Sequence, residues 1–175
     1  KTKGFSAGVH AGYLSYTANN LLFEANTGFG FGGFVQYGFS HQLALSLGIQ
    51  HYYMDPKTIA LLNSPYPYTE FDITAKYIFG STNSVVRPFL ALGGNYTTQD
   101  EFFEDDIEGL IEATYSGFSG CGGAGVAFFL TNQLSLDISA YYHIGSFGVI
   151  QNRIKYDVTY DFTAYKGLAG ISYHF

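Results

Sequence analysis

The chain has 175 residues, which suits a single domain spanning residues 1–175; only 13% are charged, whereas 19% are aromatic and 22 are glycine. So few charges disfavour a surface that faces water, and so much glycine disfavours a helical protein. The formal net charge is −6 and no basic stripe is present, which excludes nucleic acid as a partner. The single cysteine excludes an internal disulfide.

The first four predicted strands alternate with a period of two. They cover residues 4–17, 27–39, 42–53 and 69–79. In each strand, apolar residues such as Leu47 and Ile73 occupy one face, and Gly, Ser, Thr, Gln and a few charges occupy the other. A period of two is typical of a β-strand whose two faces meet different surroundings.

The next three predicted strands cover residues 87–97, 114–129 and 133–145. The seventh alternates cleanly, and the sixth is rich in glycine. The phase of the fifth is harder to assign, because Leu90 and Leu92 compete with Phe89 and Ala91 for the apolar face. We assign Leu90 and Leu92 to the outer face.

The eighth predicted strand, residues 155–175, ends on alternating apolar residues, which are Ala169, Ile171, Tyr173 and Phe175. An earlier set is out of phase with this end, namely Val158, Tyr160 and Phe162. The change of phase predicts a β-bulge near Ala164.

The connections between the predicted strands alternate in length. The short ones are 39–42, 80–86 and 130–133, and the long ones are 19–26, 54–68, 99–113 and 146–154. Short periplasmic turns and long external loops are typical of transmembrane barrels. No apolar run approaches the roughly 18 residues of a spanning helix, so the backbone groups of a membrane form must pair between strands.

With Phe175 at the end of its last strand, the pattern resembles the small bacterial outer-membrane β-barrel superfamily of the OmpA/OmpX type. The resemblance implies an all-β, eight-stranded antiparallel transmembrane barrel with up-and-down topology, in the outer membrane of a Gram-negative cell. It also implies contact with outer-membrane lipid and lipopolysaccharide, and we expect no cofactor. The start Lys1-Thr2-Lys3, without Met, favours a removed secretory signal peptide over an engineered start. In this family the barrel assembly machinery reads the closing strand, here Ile171, Tyr173 and Phe175.

Charged residues on the glycine-rich faces form the first candidate site. They are Glu70, Asp72, Lys76, Asp137 and Lys166. Inside a narrow barrel these charges must pair, because an unpaired buried charge costs several kcal/mol. We favour a static polar network that fixes strand register over a gated proton or ion path.

Two segments are candidate binding loops. The acidic one contributes Phe102, Phe103, Glu104, Asp106 and Glu108, and the proline-rich one contributes Tyr66 and Tyr68. The acidic segment matches the opening of a calcium loop, but Tyr115 stands where the bidentate carboxylate belongs. We therefore predict no metal site and expect the loops to contact a protein partner or lipopolysaccharide.

An enzymatic site finds little support. Lipid A deacylases of the PagL type carry a His and a Ser two residues apart, whereas here His143 and Ser146 are three apart and face opposite sides of a regular strand. We predict a non-catalytic protein that binds a partner through its extracellular loops or serves as an accessory subunit of an outer-membrane complex. The alternatives are a narrow channel for ions or small solutes and a lipid A-modifying enzyme.

Overall fold

Eight antiparallel strands close into a barrel, which confirms the predicted fold. The computed structural model describes residues 2–18, 26–55, 65–105, 109–151 and 154–175, with the backbone alone for 101–105, 109–113, 149–151 and 154–158. Each strand pairs with its sequence neighbours, and β8 closes on β1. The strands are β1 (Gly4–Ala18), β2 (Asn26–Gly38), β3 (Leu43–Asp55), β4 (Tyr66–Ile78), β5 (Val86–Asp105), β6 (Gly109–Phe129), β7 (Leu134–Gln151) and β8 (Ile154–His174).

The large apolar side chains of the alternating pattern point outward. Phe29 is 72% exposed and Leu92 is 73% exposed, whereas Phe89 and Ala91 are buried inside the barrel. The phase assigned to the fifth strand is therefore confirmed. An outer wall of aliphatic and aromatic side chains would be insoluble in water and suits a hydrocarbon solvent. Among the described residues, no helix is long and apolar enough to cross a membrane.

The predicted bulge near Ala164 is wrong. The register of the β7–β8 pair shifts between Gly148 and Val149, closer to the tip of the hairpin. Phe162 lies inside the barrel, 1% exposed, and its ring stacks on that of Phe147 with centroids 4.1 Å apart. The prediction failed because it treated an aromatic side chain as a marker of the outer face, whereas part of this lumen is aromatic.

Two of the predicted loops are mostly strand. β5 and β6 stay paired from Asp100 opposite Thr114 to Asp105 opposite Gly109, and β7 and β8 stay paired as far as Gln151 opposite Ile154. The end of the barrel that carries these extensions is called the hairpin end. Of the predicted loops 99–113 and 146–154, every residue that the structure describes is therefore strand, and residues 106–108 and 152–153 lie outside the described residues.

The opposite end, called the turn end, has short connections at 39–42, 79–85 and 130–133. Gly80 has a φ of 86°, a backbone conformation that favours glycine. Arg87, fully buried at this end, donates from Nη1 to Thr2 Oγ1 at 2.8 Å and from Nη2 to the His41 carbonyl at 2.6 Å. A Cβ on Gly38 would come within 1.7 Å of the Thr2 carbonyl oxygen, so the segment at Thr2 packs tightly against the wall.

Candidate functional site

Three of the five predicted lumen charges meet at the middle of the barrel. Lys166 on β8 reaches across the lumen to β4, where its Nζ lies 2.8 Å from Glu70 Oε1 and 3.1 Å from Asp72 Oδ1. Glu70 and Lys166 are 1% and 3% exposed. Alternation puts all three side chains on the inner face, and the barrel diameter brings β4 and β8 within reach of each other.

Polar side chains that were not among the predicted lumen residues complete this network. Asn95 Nδ2 donates to Glu70 Oε1 and lies 2.8 Å from His143 Nδ1. Gln50 Nε2 donates to Asp72 Oδ2, and Tyr52 donates its hydroxyl hydrogen to Gln50 Oε1. The available signal was strand phase, since each of these residues shares the inner face with a glycine or a predicted lumen charge.

The remaining two lumen charges lie nearer the turn end and outside this network. Lys76 Nζ lies over the Phe34 and Phe89 rings, 5.1 and 5.3 Å from their centroids. Asp137 accepts a hydrogen bond from Ser172 Oγ at 3.2 Å. Within the part of the chain that the structure describes, no carboxylate lies within 4 Å of the Lys76 ammonium.

An aromatic cluster, called the aromatic seal, fills the lumen toward the hairpin end. Its members are Leu14, Tyr16, Ala18, Tyr52, Met54, Tyr66, Tyr68, Phe147, Phe162 and Ala164. Tyr16 anchors its polar edge, with its hydroxyl 2.6 Å from that of Tyr66 and donating to Gln99 Oε1 at 3.1 Å.

The assignment of Tyr66 and Tyr68 to an exposed binding loop is wrong. They are 5% and 1% exposed, and both belong to β4 and to the aromatic seal. The predicted proline-rich loop extended to residue 68, but β4 begins at Tyr66 and pairs Tyr66 with Met54. Pairing with β3 therefore places these two rings on the inner face.

Three of the five candidates of the acidic segment lie near the described end of the β5–β6 pair. Phe102, Phe103 and Glu104 belong to the backbone of β5, opposite Glu112, Ile111 and Leu110. Asp106 and Glu108 lie outside the described residues.

His143 is buried in the lumen, 2% exposed, with Nδ1 3.7 Å from Glu70 Oε1. Its neighbours are therefore groups of the polar network. A residue acting on membrane lipid would have to reach the outer face, and His143 points the other way.

Alternate side chains at the end of the chain face outward. Ile171, Tyr173 and Phe175 are 40%, 44% and 78% exposed. The Phe175 amide donates to the Phe5 carbonyl at 3.0 Å, and the Tyr173 and Phe175 rings meet edge to face with centroids 5.1 Å apart.

The barrel is closed, with an apolar outer wall, a charged and aromatic interior, and short turns at one end. These features define a transmembrane β-barrel of the bacterial outer membrane. A family model for the outer membrane protein beta-barrel domain matches residues 1–175. The chain belongs to this family, and its outer wall contacts the lipids of that membrane, lipopolysaccharide among them. Short turns of such barrels face the periplasm, so the turn end is the periplasmic end.

Solved structures share this fold at low identity. Neisserial surface protein A is 15% identical with a TM-score of 0.72, over 99% of this chain and 98% of the other. Ail, the attachment invasion locus protein of Yersinia pestis, is 17% identical with a TM-score of 0.63, over 99% of both chains. OprG from Pseudomonas aeruginosa is 15% identical with a TM-score of 0.62, over 99% and 97%. Among curated proteins, no sequence matches the chain.

Proposed function

We propose that the protein is a non-catalytic outer-membrane barrel whose β5–β6 hairpin binds a protein partner with a basic surface. The observation that carries this proposal is the projection of the hairpin beyond the wall next to it. Described β4–β5 pairing ends at Tyr68 opposite Gln99, whereas β5 continues for six residues paired to β6. At about 3.3 Å per residue, the extension adds roughly 20 Å measured along the tilted strand.

The hairpin is also the most acidic segment of the chain. Seven of the 14 Asp and Glu residues lie between positions 100 and 112, and no Lys or Arg lies among them. At its base, Thr114 Oγ1 donates to Asp100 Oδ1 at 2.8 Å, which ties the two strands together. A paired, acidic hairpin attracts a basic surface and repels an acidic one.

Two other features support a binding role over the alternatives. The aromatic seal occupies the lumen and opposes a narrow channel. The burial of His143 among groups of the polar network opposes a lipid A-modifying enzyme. Exposed hairpins on a rigid scaffold are a common place for binding residues.

Neutralising the hairpin tests this proposal. The variant Glu104→Gln, Asp105→Asn, Glu108→Gln keeps the side-chain shapes and removes three negative charges. We expect a photo-reactive residue at position 103 to cross-link one discrete partner on intact cells in the parent chain, and this adduct to fall at least tenfold in the triple variant. Mass spectrometry of the adduct shows whether the partner is a second outer-membrane protein or comes from outside the cell.

The matched control is Asp55→Asn with Asp161→Asn, which removes two exposed acids at the hairpin end outside the β5–β6 pair. We expect this variant to keep the adduct. If the adduct falls equally in both variants, overall charge governs binding. If the adduct is unchanged in the triple variant, the acidic side chains of the hairpin do not contribute to the interface.

We also propose that Ile171, Tyr173 and Phe175 form the signal that the barrel assembly machinery recognises. Their outward side chains lie at the periplasmic end of β8, beside the β1 strand that closes the barrel. Phe175→Ala should lower the amount of assembled barrel in the outer membrane several-fold, measured as heat-modifiable protein on gels, with little change in the stability of refolded protein. Phe5→Ala removes a neighbouring outward ring as the control, and a similar loss there would contradict a signal specific to β8.

A further inference from the structure

Two small cavities lie in series between the polar network and the periplasmic end. The central cavity, about 30 Å³, is lined by groups that include His10, Asp72 and Cys121. The periplasmic cavity, also about 30 Å³, is lined by groups that include Thr2 and Ala127. Both cavities touch Phe34, Lys76 and Asp137, so the Lys76 ammonium lies at their junction.

Polar groups around these cavities lack protein partners. Nε2 of His10, a residue 8% exposed, has no hydrogen-bond partner among the described residues. The Lys76 ammonium lies over two rings and pairs with no described carboxylate within 4 Å. Lys76 is half-buried, and an ammonium shielded from water in this way costs free energy unless a hydrogen-bond partner reaches it.

Water is a hydrogen-bonding partner of the right size for these groups. A buried water needs a cavity of about 10–15 Å³ and two to four polar partners, and each cavity exceeds that volume and offers several such partners. Lys76 and Lys166 balance Asp72 and Asp137 in the lining of the central cavity, so no net charge favours a bound ion over water.

We propose that the periplasmic half of the lumen is a water-binding site in exchange with the periplasm, and that water enters as far as Cys121 and stops at the aromatic seal. Water molecules bridge Lys76 to Asp137 through the periplasmic cavity and Lys76 to Asp72 through the central one. The lumen is thus a half-channel that brings water and protons from one side of the membrane to the Glu70–Asp72–Lys166 network. This inference does not depend on the β5–β6 hairpin.

Cys121, the one cysteine of the chain, reports on this water directly. It is 5% exposed and lines the central cavity. Its S–H stretch is an isolated infrared band that disappears when the thiol exchanges its proton for a deuteron from D₂O. In the folded barrel in lipid vesicles, we expect the Cys121 band to exchange within minutes.

The matched control moves the thiol into the aromatic seal, with Cys121→Ser and Leu14→Cys in one chain. Leu14 is 1% exposed and Cys121 is 5% exposed, so burial by itself predicts similar exchange at the two positions. Hydration of the periplasmic half alone predicts at least tenfold faster exchange for Cys121. Comparable rates at the two positions, whether fast or slow, would overturn the proposal.

A second variant tests the route of entry. Ala127→Phe fills the periplasmic cavity and leaves the lining of the central cavity unchanged. We expect it to slow exchange at Cys121 at least tenfold while the barrel stays folded by gel mobility. An unchanged rate would show that water enters elsewhere and would contradict the periplasmic half-channel.

Discussion

Replacing Lys166 by methionine lowers the free energy of unfolding of the barrel by about 3–5 kcal/mol, the range for breaking a buried ion pair by removing one partner. Lys166 Nζ is the cation that contacts both Glu70 Oε1 and Asp72 Oδ1. Without it, two carboxylates remain close together in the lumen beside Asn95 and Gln50, whose amide groups already donate to them. Urea unfolding in lipid vesicles, followed by gel mobility because the chain has no tryptophan, measures the loss.

Two controls separate pairing from packing in this experiment. The triple variant Lys166→Met, Glu70→Gln, Asp72→Asn removes all three charges and should regain more than half of the lost stability, since no unpaired charge remains. Lys76→Met removes the same functional group from a site with no described carboxylate within 4 Å, and should cost less than half as much. A larger loss for Lys76→Met than for Lys166→Met would contradict the account of the network.

The strand count, strand phase and outer wall could be predicted from the sequence because alternation is local. In each strand, the alternation of apolar and polar residues indicates which face contacts lipid. Leu47 and Ile73, for example, are each 50% exposed. Hydrogen bonding between neighbours then follows from the need to pair every backbone group within the membrane. The inner position of the five lumen charges follows from the same phase.

The way these charges combine could not be predicted, since it depends on depth along the barrel axis. Lys166 and Glu70 are 96 residues apart, and alternation fixes the side of each strand but not its height relative to the others. Register sets that height, and register depends on pairings such as Gln50 opposite Glu70. Lys76 shares the inner face with Glu70, yet lies nearer the turn end and misses the network.

The aromatic seal escaped prediction for a different reason. Tyr52 follows the phase of Gln50, and Tyr16 that of His10, so alternation indicates an inner position for both rings but not that they meet in one cluster. In a protein with aromatic rings on its outer wall, residue type and phase give conflicting signals at Phe162. The structure resolves the conflict in favour of phase, because pairing in β8 is regular from Phe162 to His174.

Phe162→Ala should destabilise the barrel by about 3–5 kcal/mol, the cost of a cavity left by a fully buried Phe. Phe162 is 1% exposed and stacks on Phe147 with an angle of 13° between the rings. In a double-mutant cycle with Phe147→Ala, the coupling between the two rings should be about 0.5–1.5 kcal/mol, as for other aromatic pairs. Urea unfolding of the parent, the two single variants and the double variant supplies the four values.

The same double variant tests whether the aromatic seal is the barrier to ions. The periplasmic half of the lumen already contains cavities and unpaired polar groups. Removing two rings from the opposite half should therefore open a continuous path between the two ends of the barrel. In planar bilayers we expect no steady current from the parent barrel and discrete openings from Phe147→Ala with Phe162→Ala. Phe118→Ala, which removes an outward ring that is 73% exposed, should stay silent. Steady current through the parent would instead favour a channel, and silence of a folded double variant would place the barrier in the Glu70–Asp72–Lys166 network.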